Sequence, residues 1–357
     1  MHNKLIISIL VVVFSLFTVN LWAEGQGEMS GEGANNARQQ RSLTIKVASI
    51  VPNGTPWQEY VDKIATDWKR ISEGKINMVV YHGSQLGKYE SDILTQMKIG
   101  QIQGAIFTSI GMGVITPKVM TMSYPLLIRN EGELDTVLAR LQPELEAEIE
   151  KQGYHIVAWS KVGWVKFFAR TPVLVPNDLR NMKLATGEDL KGLNNVLKNM
   201  GFNLVNVSIE DTLIAMNSGT VDATYQSPIA IGASQVFGVA KHMTDFAVAP
   251  FMGGLVVSER VWKQVEEILS PEQMDELMKA TKDYETRLNE AVEELESQSV
   301  KQMQGYGLIV HELSPEQREE WYKEVATNTM AMEATDTFDQ ATFAEIEKIV
   351  DDYRKNN

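Results

Sequence analysis

The residues of this 357-residue chain best suited to metal binding or proton transfer are five histidines, His2, His82, His155, His242 and His311. They are scattered, and none pairs with another at a metal-ligand spacing, so each reads as a surface or internally satisfied ring. Cysteine is absent, which excludes disulfides, thiolate metal sites, thiol nucleophiles and a lipid anchor on an N-terminal cysteine. The acid pairs Glu293-Glu294 and Asp351-Asp352 stand in helix-forming stretches, as solvated faces. Gly100-Gln101-Ile102-Gln103-Gly104 marks a helix end and a turn rather than a phosphate cradle. Gly111-Met112-Gly113 is too short for a dinucleotide fingerprint. With no nucleophile elbow, P-loop or clustered His/Asp/Glu, the chain points to binding without turnover, and no cofactor or metal is expected. A secreted α/β enzyme and a purely structural or interaction protein are the competing classes. Ligand-induced closure without substrate turnover separates a receptor from both.

The formal charge of −14 argues against a nucleic-acid partner, because a phosphate backbone demands a basic face. Charged residues make up 22 % and hydrophobic residues 44 %, a balance that supports a folded body. The length suits two α/β lobes better than one core. Residues 1–23 read as a signal peptide: Lys4 supplies the positive region, Leu5 to Val19 the apolar run, and Ala23 precedes Glu24-Gly25-Gln26. An uncleaved anchor is the alternative, for which the run is short. Residues 24–41 hold almost nothing apolar and read as a flexible leader. The expected location is the periplasm.

The elements that would position a site follow. Leu43 to Ala48 alternates as a strand, and Thr55-Pro56 opens a helix with Trp57, Tyr60, Val61, Ile64 and Trp68 at helical spacing. Ile76 to Tyr81 is the next strand. A turn at Gly83 to Gly87 leads to a helix through Ile93 and Met97, and Ala105 to Phe107 is a third strand. This order implies right-handed crossovers and a mostly parallel sheet. The pattern then repeats with strands at Ile156 to Trp159, Val165 to Phe168, Met182 to Ala185, Phe202 to Val205 and Val221 to Tyr225. Helices fall between, over about Leu190 to Met200 and, capped by Ser208, through Met216. After Ser270-Pro271-Glu272, no Pro or Gly interrupts the chain until Gly305, which predicts one long helix.

Four stretches, in order and correctly spaced, resemble the DctP-type periplasmic solute receptors of TRAP transporters. They are Gly83-Ser84-Gln85-Leu86-Gly87 followed by Gln96 to Gly100, then Ser123-Tyr124-Pro125-Leu126-Leu127. Pro172-Val173 with Pro176 to Lys183 is the third, and Ala215 to Ala223 the fourth. The resemblance spans about Ile45 to Val350. It implies an α/β, two-lobed periplasmic-binding-protein fold with hinge strands and a long helix spanning both lobes. Lobe I would hold 42–160 and about 250–290, and lobe II 161–249 and about 291–357 with the C-terminal helices. The implied partners are a small-molecule ligand, the small and large integral membrane subunits and, for receptors with apolar clefts, a tetratricopeptide-repeat protein.

In the family the usual ligand is an organic carboxylate gripped by an arginine. The matching position here is Ala185, and Val165 stands where a second arginine often lies. The resemblance adds Ile50, Thr108, Ser109, Ile209, Tyr225 and Gln226 as cleft positions, and Trp57 and Trp164 are aromatic candidates beside them. Alternation along the strand lets only one of Trp164 and Val165 face the cleft. A desolvated carboxylate without a cation is costly, so these positions predict a neutral or hydrophobic ligand. The alternative is an organic acid with a relocated cation, drawn from Lys166, Arg170 or Lys183.

Overall fold

A computed structural model describes residues 42–357 except Glu188, Leu190 and Ala334. The signal peptide and leader expected over 1–41 lie outside the described residues.

Ten strands form the frame: β1 (Leu43–Ser49), β2 (Ile76–Tyr81), β3 (Gly104–Thr108), β4 (Tyr154–Ala169), β5 (Lys183–Thr186), β6 (Asn203–Asn206), β7 (Ala223–Gln226), β8 (His242–Asp245), β9 (Ala249–Ser258) and β10 (Ile309–Glu312). Around them run α1 (Pro56–Ile71), α2 (Glu90–Lys98), α3 (Ser109–Ile115), α4 (Pro117–Thr121), α5 (Glu131–Lys151), α6 (Pro176–Arg180) and α7 (Lys191–Asn199). The later helices are α8 (Thr212–Asn217), α9 (Pro228–Ala233), α10 (Glu259–Ile268), α11 (Pro271–Gly305), α12 (Pro315–Glu333) and α13 (Gln340–Asn356).

The strand order β2-β1-β3-β9-β4-β7-β5-β6 joins two half-sheets through β4, with β8 and β10 beside it. Each half keeps the parallel pairs expected of βαβ units: β1 with β2 and β3, and β5 with β6 and β7. The centre is antiparallel, because β4 and β9 run past each other from one half into the other. This mixed sheet replaces the mostly parallel one expected. It also merges the two strands read at Ile156 to Trp159 and Val165 to Phe168 into the 16-residue β4. Register shifts at Ile156/Ala158 and Lys161/Gly163 break its alternation, which is why one strand reads as two.

Helix α1 starts as expected: the Thr55 hydroxyl accepts from Gln58 N–H, Pro56 follows, and Trp57, Val61, Ile64 and Trp68 are buried. The predicted long helix is α11, with 35 residues and a Ser270/Gln273 capping box. It packs on α1, on β4 and on α9, and so spans both halves. Ser208 does not cap α8; its hydroxyl donates to the Asp211 carboxylate, and the helix begins at Thr212. The 21-residue α5 has no counterpart among the elements read from sequence, because internal Pro143 and a run of acids mask its period. Helix α13, which the sequence groups with lobe II, packs on α5 and α4. Met112, Met120 and Met122 are buried core. Among the described residues, no helix is long and apolar enough to cross a membrane.

Candidate solute-binding site

The two half-sheets present the ends of β1, β3, β5 and β7 toward one cavity of ≈ 130 Å³. Its walls are mostly aliphatic and aromatic: Ile50, Val51, Trp57, Phe107 and Phe251 from one half, and Val165, Val207, Ile209 and Tyr225 from the other. Polar side chains punctuate this apolar surface. Thr108 and Ser160 face Thr186, Ser208, Thr212 and Gln226 across it. A cavity of this size is comparable with the ~150 Å³ apolar cavities that hold a benzene.

Of the positions expected from sequence, Ile50, Trp57, Thr108, Val165, Ala185, Ile209, Tyr225 and Gln226 line this cavity. Ser109 and Trp164 do not. Ser109 is fully buried one residue beyond the end of β3, where its hydroxyl bridges both backbone groups of Met252 and meets Ser123. It ties α3 to β9 and has no free lone pair to offer a ligand. Trp164 lies on the opposite face of β4 from Val165, and its indole N–H donates to Glu131 at 2.7 Å. Of the two, it is Val165 that faces the cavity.

The proposed relocated cations are also elsewhere. Lys166 pairs with Asp245 at 2.7 Å, while the Lys183 ammonium and the Arg170 guanidinium donate to the carbonyls of Gly219 and Met216. The basic side chain that does line the cavity is Lys88, immediately after the Ser84-Gln85-Leu86-Gly87 turn. It is exposed and ion-paired with Asp211 at 2.8 Å. No arginine lines the cavity among the described residues.

Two acids at the cavity escaped the sequence reading. Glu90, in the first turn of α2, is buried, and its carboxylate accepts from Thr108 N–H at 2.7 Å, the Thr108 hydroxyl at 2.8 Å and Gly111 N–H at 2.7 Å. Burial pushes it up to about 7, against those hydrogen bonds. Its role is to lock the β3–α3 junction. Asp189 reaches α2 from the other half, accepting from Glu90 N–H at 3.0 Å. The signal for Glu90 was present: Lys88-Tyr89-Glu90 directly extends the turn motif, yet that motif read only as turn chemistry.

The hinge is built from β4 and α11. The indole N–H of Trp57 donates to the Lys161 carbonyl at 3.0 Å, and Lys161 N–H donates to Asn289 at 2.7 Å. Trp164 N–H donates to Glu296 at 2.9 Å and Trp159 N–H to Glu285 at 3.3 Å. Side chains of α11 therefore satisfy backbone groups around the register breaks of β4. Glu296 is buried and pushed up to about 7 by that burial. Among the described residues, no group of three His, Cys, Asp or Glu is placed to hold a metal ion.

The profile of the bacterial extracellular solute-binding proteins, family 7 (DctP), matches residues 47–336. A protein of Albidiferax ferrireducens described as a solute-binding protein is 22 % identical over 243 residues, 64 % of this chain and 71 % of the relative. Among solved structures, the sugar acid binding protein of Advenella mimigardefordensis in complex with galactonate superposes with a TM-score of 0.78 at 18 % identity, covering 87 % of this chain and 99 % of the other. A TRAP periplasmic solute-binding protein of Ralstonia eutropha with bound (S)-2-acetolactate gives a TM-score of 0.76 at 20 % identity, covering 87 % and 99 %. A two-lobed frame with a cavity between its halves and a profile match over most of the chain lead to one conclusion. This chain belongs to family 7 of the bacterial extracellular solute-binding proteins, the DctP family.

Proposed function

We propose that this protein is the extracytoplasmic receptor of a TRAP-type transporter and that it captures a small organic acid with a largely apolar body. The observation that carries this reading is the cavity itself: largely apolar walls with scattered hydroxyls, the engaged acids Glu90 and Asp189 and, among the described residues, no arginine and one basic side chain, Lys88. The expectation of a neutral ligand gives way on the question of charge, because the solved relatives hold galactonate and acetolactate, both acids. Their ligands favour the carboxylate alternative, with Lys88 taking the place that the sequence reading gave to Lys166, Arg170 or Lys183. A carboxylate beside Lys88 would sit at the exposed rim, where desolvation costs least. The apolar body would fill the deeper wall of Ile50, Phe107, Val165 and Tyr225. Ala185 and Val165, lacking arginine's reach and charge, leave that wall free for hydrocarbon.

Export through the N-terminal 1–23 segment, with cleavage after Ala23, belongs to the same reading. Delivery would be to the two integral membrane subunits, and a tetratricopeptide-repeat partner is compatible with it.

Matched probes test the proposal by thermal shift and titration calorimetry: phenylacetate, its neutral amide and glucuronate. The expected result is binding of phenylacetate over its amide, with the preference erased by Lys88→Met. Equal binding of acid and amide would overturn the acid assignment. A preference for glucuronate would overturn the apolar body.

A further inference from the structure

We infer that Asp189 is a positioning residue for lobe closure, capping the N-terminus of α2 from the opposite half of the molecule. Helix α2 follows β2 in the first half-sheet, and Asp189 follows β5 in the second. The helix begins without a cap of its own. Its N-cap residue, Tyr89, has extended backbone and makes no side-chain capping bond. The carboxyl group of Glu90, in the first turn, is turned away to Thr108 and Gly111. The first N–H groups of a helix have no partner inside it, and the helix dipole favours an anion there. Asp189 supplies that partner. One of its oxygens accepts from Glu90 N–H at 3.0 Å, and the other accepts from the Ser91 hydroxyl.

A cap is normally supplied by the residue next to the helix, so it is present in every state of the chain. Here it comes from a residue 99 positions away in the sequence, across the cavity. When the halves separate, Asp189 leaves, and the α2 amide must turn to water. The bond therefore exists only in the closed arrangement and biases the open–closed equilibrium by its own free energy. Ser84 to Glu210 at 3.3 Å and Lys88 to Asp211 at 2.8 Å lie on the same side, but they join exposed side chains. The Asp189 bond ends on a backbone N–H at the start of α2.

This inference uses the receptor reading for its purpose but is tested without ligand. Because the chain has no cysteine, Lys69→Cys in α1 and Lys198→Cys in α7 accept one spin label each, and both positions are exposed. Pulsed dipolar spectroscopy of the unliganded protein then reads the short-distance, closed population. Asp189→Ala should lower the closed-to-open ratio roughly fivefold, within the range for loss of a helix cap. Ser91→Ala, whose residue does not line the cavity, should lower it about twofold, since it removes one of the two bonds. Asp189→Asn should stay near the parent, because asparagine caps as well as aspartate. An unchanged ratio in Asp189→Ala overturns the inference. So does Asp189→Asn opening as far as alanine, which would assign the effect to charge, or a parent that populates no closed state. Failure of phenylacetate to bind would instead count against the proposed ligand and leave these ratios as they are.

Discussion

The hinge and the mouth of the cavity both use side-chain hydrogen bonds to hold the halves together, and they differ in what the bonds end on. At the hinge, Asn289, Glu296 and Trp57 bond the backbone of a single strand, β4, which belongs to both halves. Those contacts survive any rotation small enough to leave β4 and α11 packed. At the mouth, Lys88, Ser84 and the α2 N-terminus meet Asp211, Glu210 and Asp189, residues that separate as soon as the lobes part. The hinge bonds are thus part of folding stability, and the mouth bonds are part of a conformational equilibrium. A similar number of polar contacts does two physically different tasks.

The most severe way to break this contrast is Gly163→Ala. Gly163 sits at φ +95, and a Cβ there would stand 2.3 Å from a Glu296 carboxylate oxygen. Backbone strain and displacement of Glu296 from the Trp164 amide should together cost about 2–4 kcal/mol, read as a lower urea midpoint. If the midpoint holds while ligand affinity falls, the hinge is a switch rather than a structural node.

Titration tests the hinge through Glu296 and the cavity wall through Glu90. Glu90 and Glu296 are both raised from 4.5 to about 7 by burial. Between those values the folded protein retains protons that the unfolded chain has released. Their contribution is therefore complete below about pH 4.5 and is lost as pH rises through about 7, by ~1–3 kcal/mol for each group. Unfolding free energies measured across this window should fall, and Glu296→Gln should flatten the slope. A flat parent profile would show that neither carboxyl holds its proton.

Asn289→Leu should cost about 1–3 kcal/mol, because it leaves the Lys161 N–H without its partner. Differential scanning calorimetry of that variant separates a structural node from a dispensable contact. At the mouth, Asp211→Asn should leave the melting temperature unchanged, since the pair with Lys88 is solvent-exposed. High salt should likewise loosen ligand retention a few-fold while the urea midpoint stays put. A melting point that drops with Asp211→Asn would place the mouth on the folding side of the comparison.

Much of the frame was legible because local rules set it. Thr55-Pro56 and Ser270-Pro271 announced α1 and α11, and Gly-free, Pro-free sequence fixed the length of α11. The family resemblance named much of the cavity wall, and those positions fall at the ends of β1, β3, β5 and β7, which converge in a doubly built α/β frame. Ser109 misled because it stands one residue past a strand end, where the chain turns into α3 and buries the hydroxyl against Met252. Trp164 and Val165 are adjacent, and only the register of β4 against β9 decided which one faces inward. Asp189 had no signal at all: a cap supplied across 99 residues follows no local spacing.

The sequence by itself determined the elements and their order, because periodicity, capping and turn chemistry act over a few residues, and its resemblance to the DctP-type receptors supplied the family and an arginine-free set of cavity positions. Only the tertiary structure decided that Lys88 is the cavity's basic group, that α11 mends the breaks in β4, and that α2 is capped by the far lobe. Those are contacts between groups roughly one hundred residues or more apart, and the free energy that selects them comes from closing and packing the whole chain rather than from any segment of it.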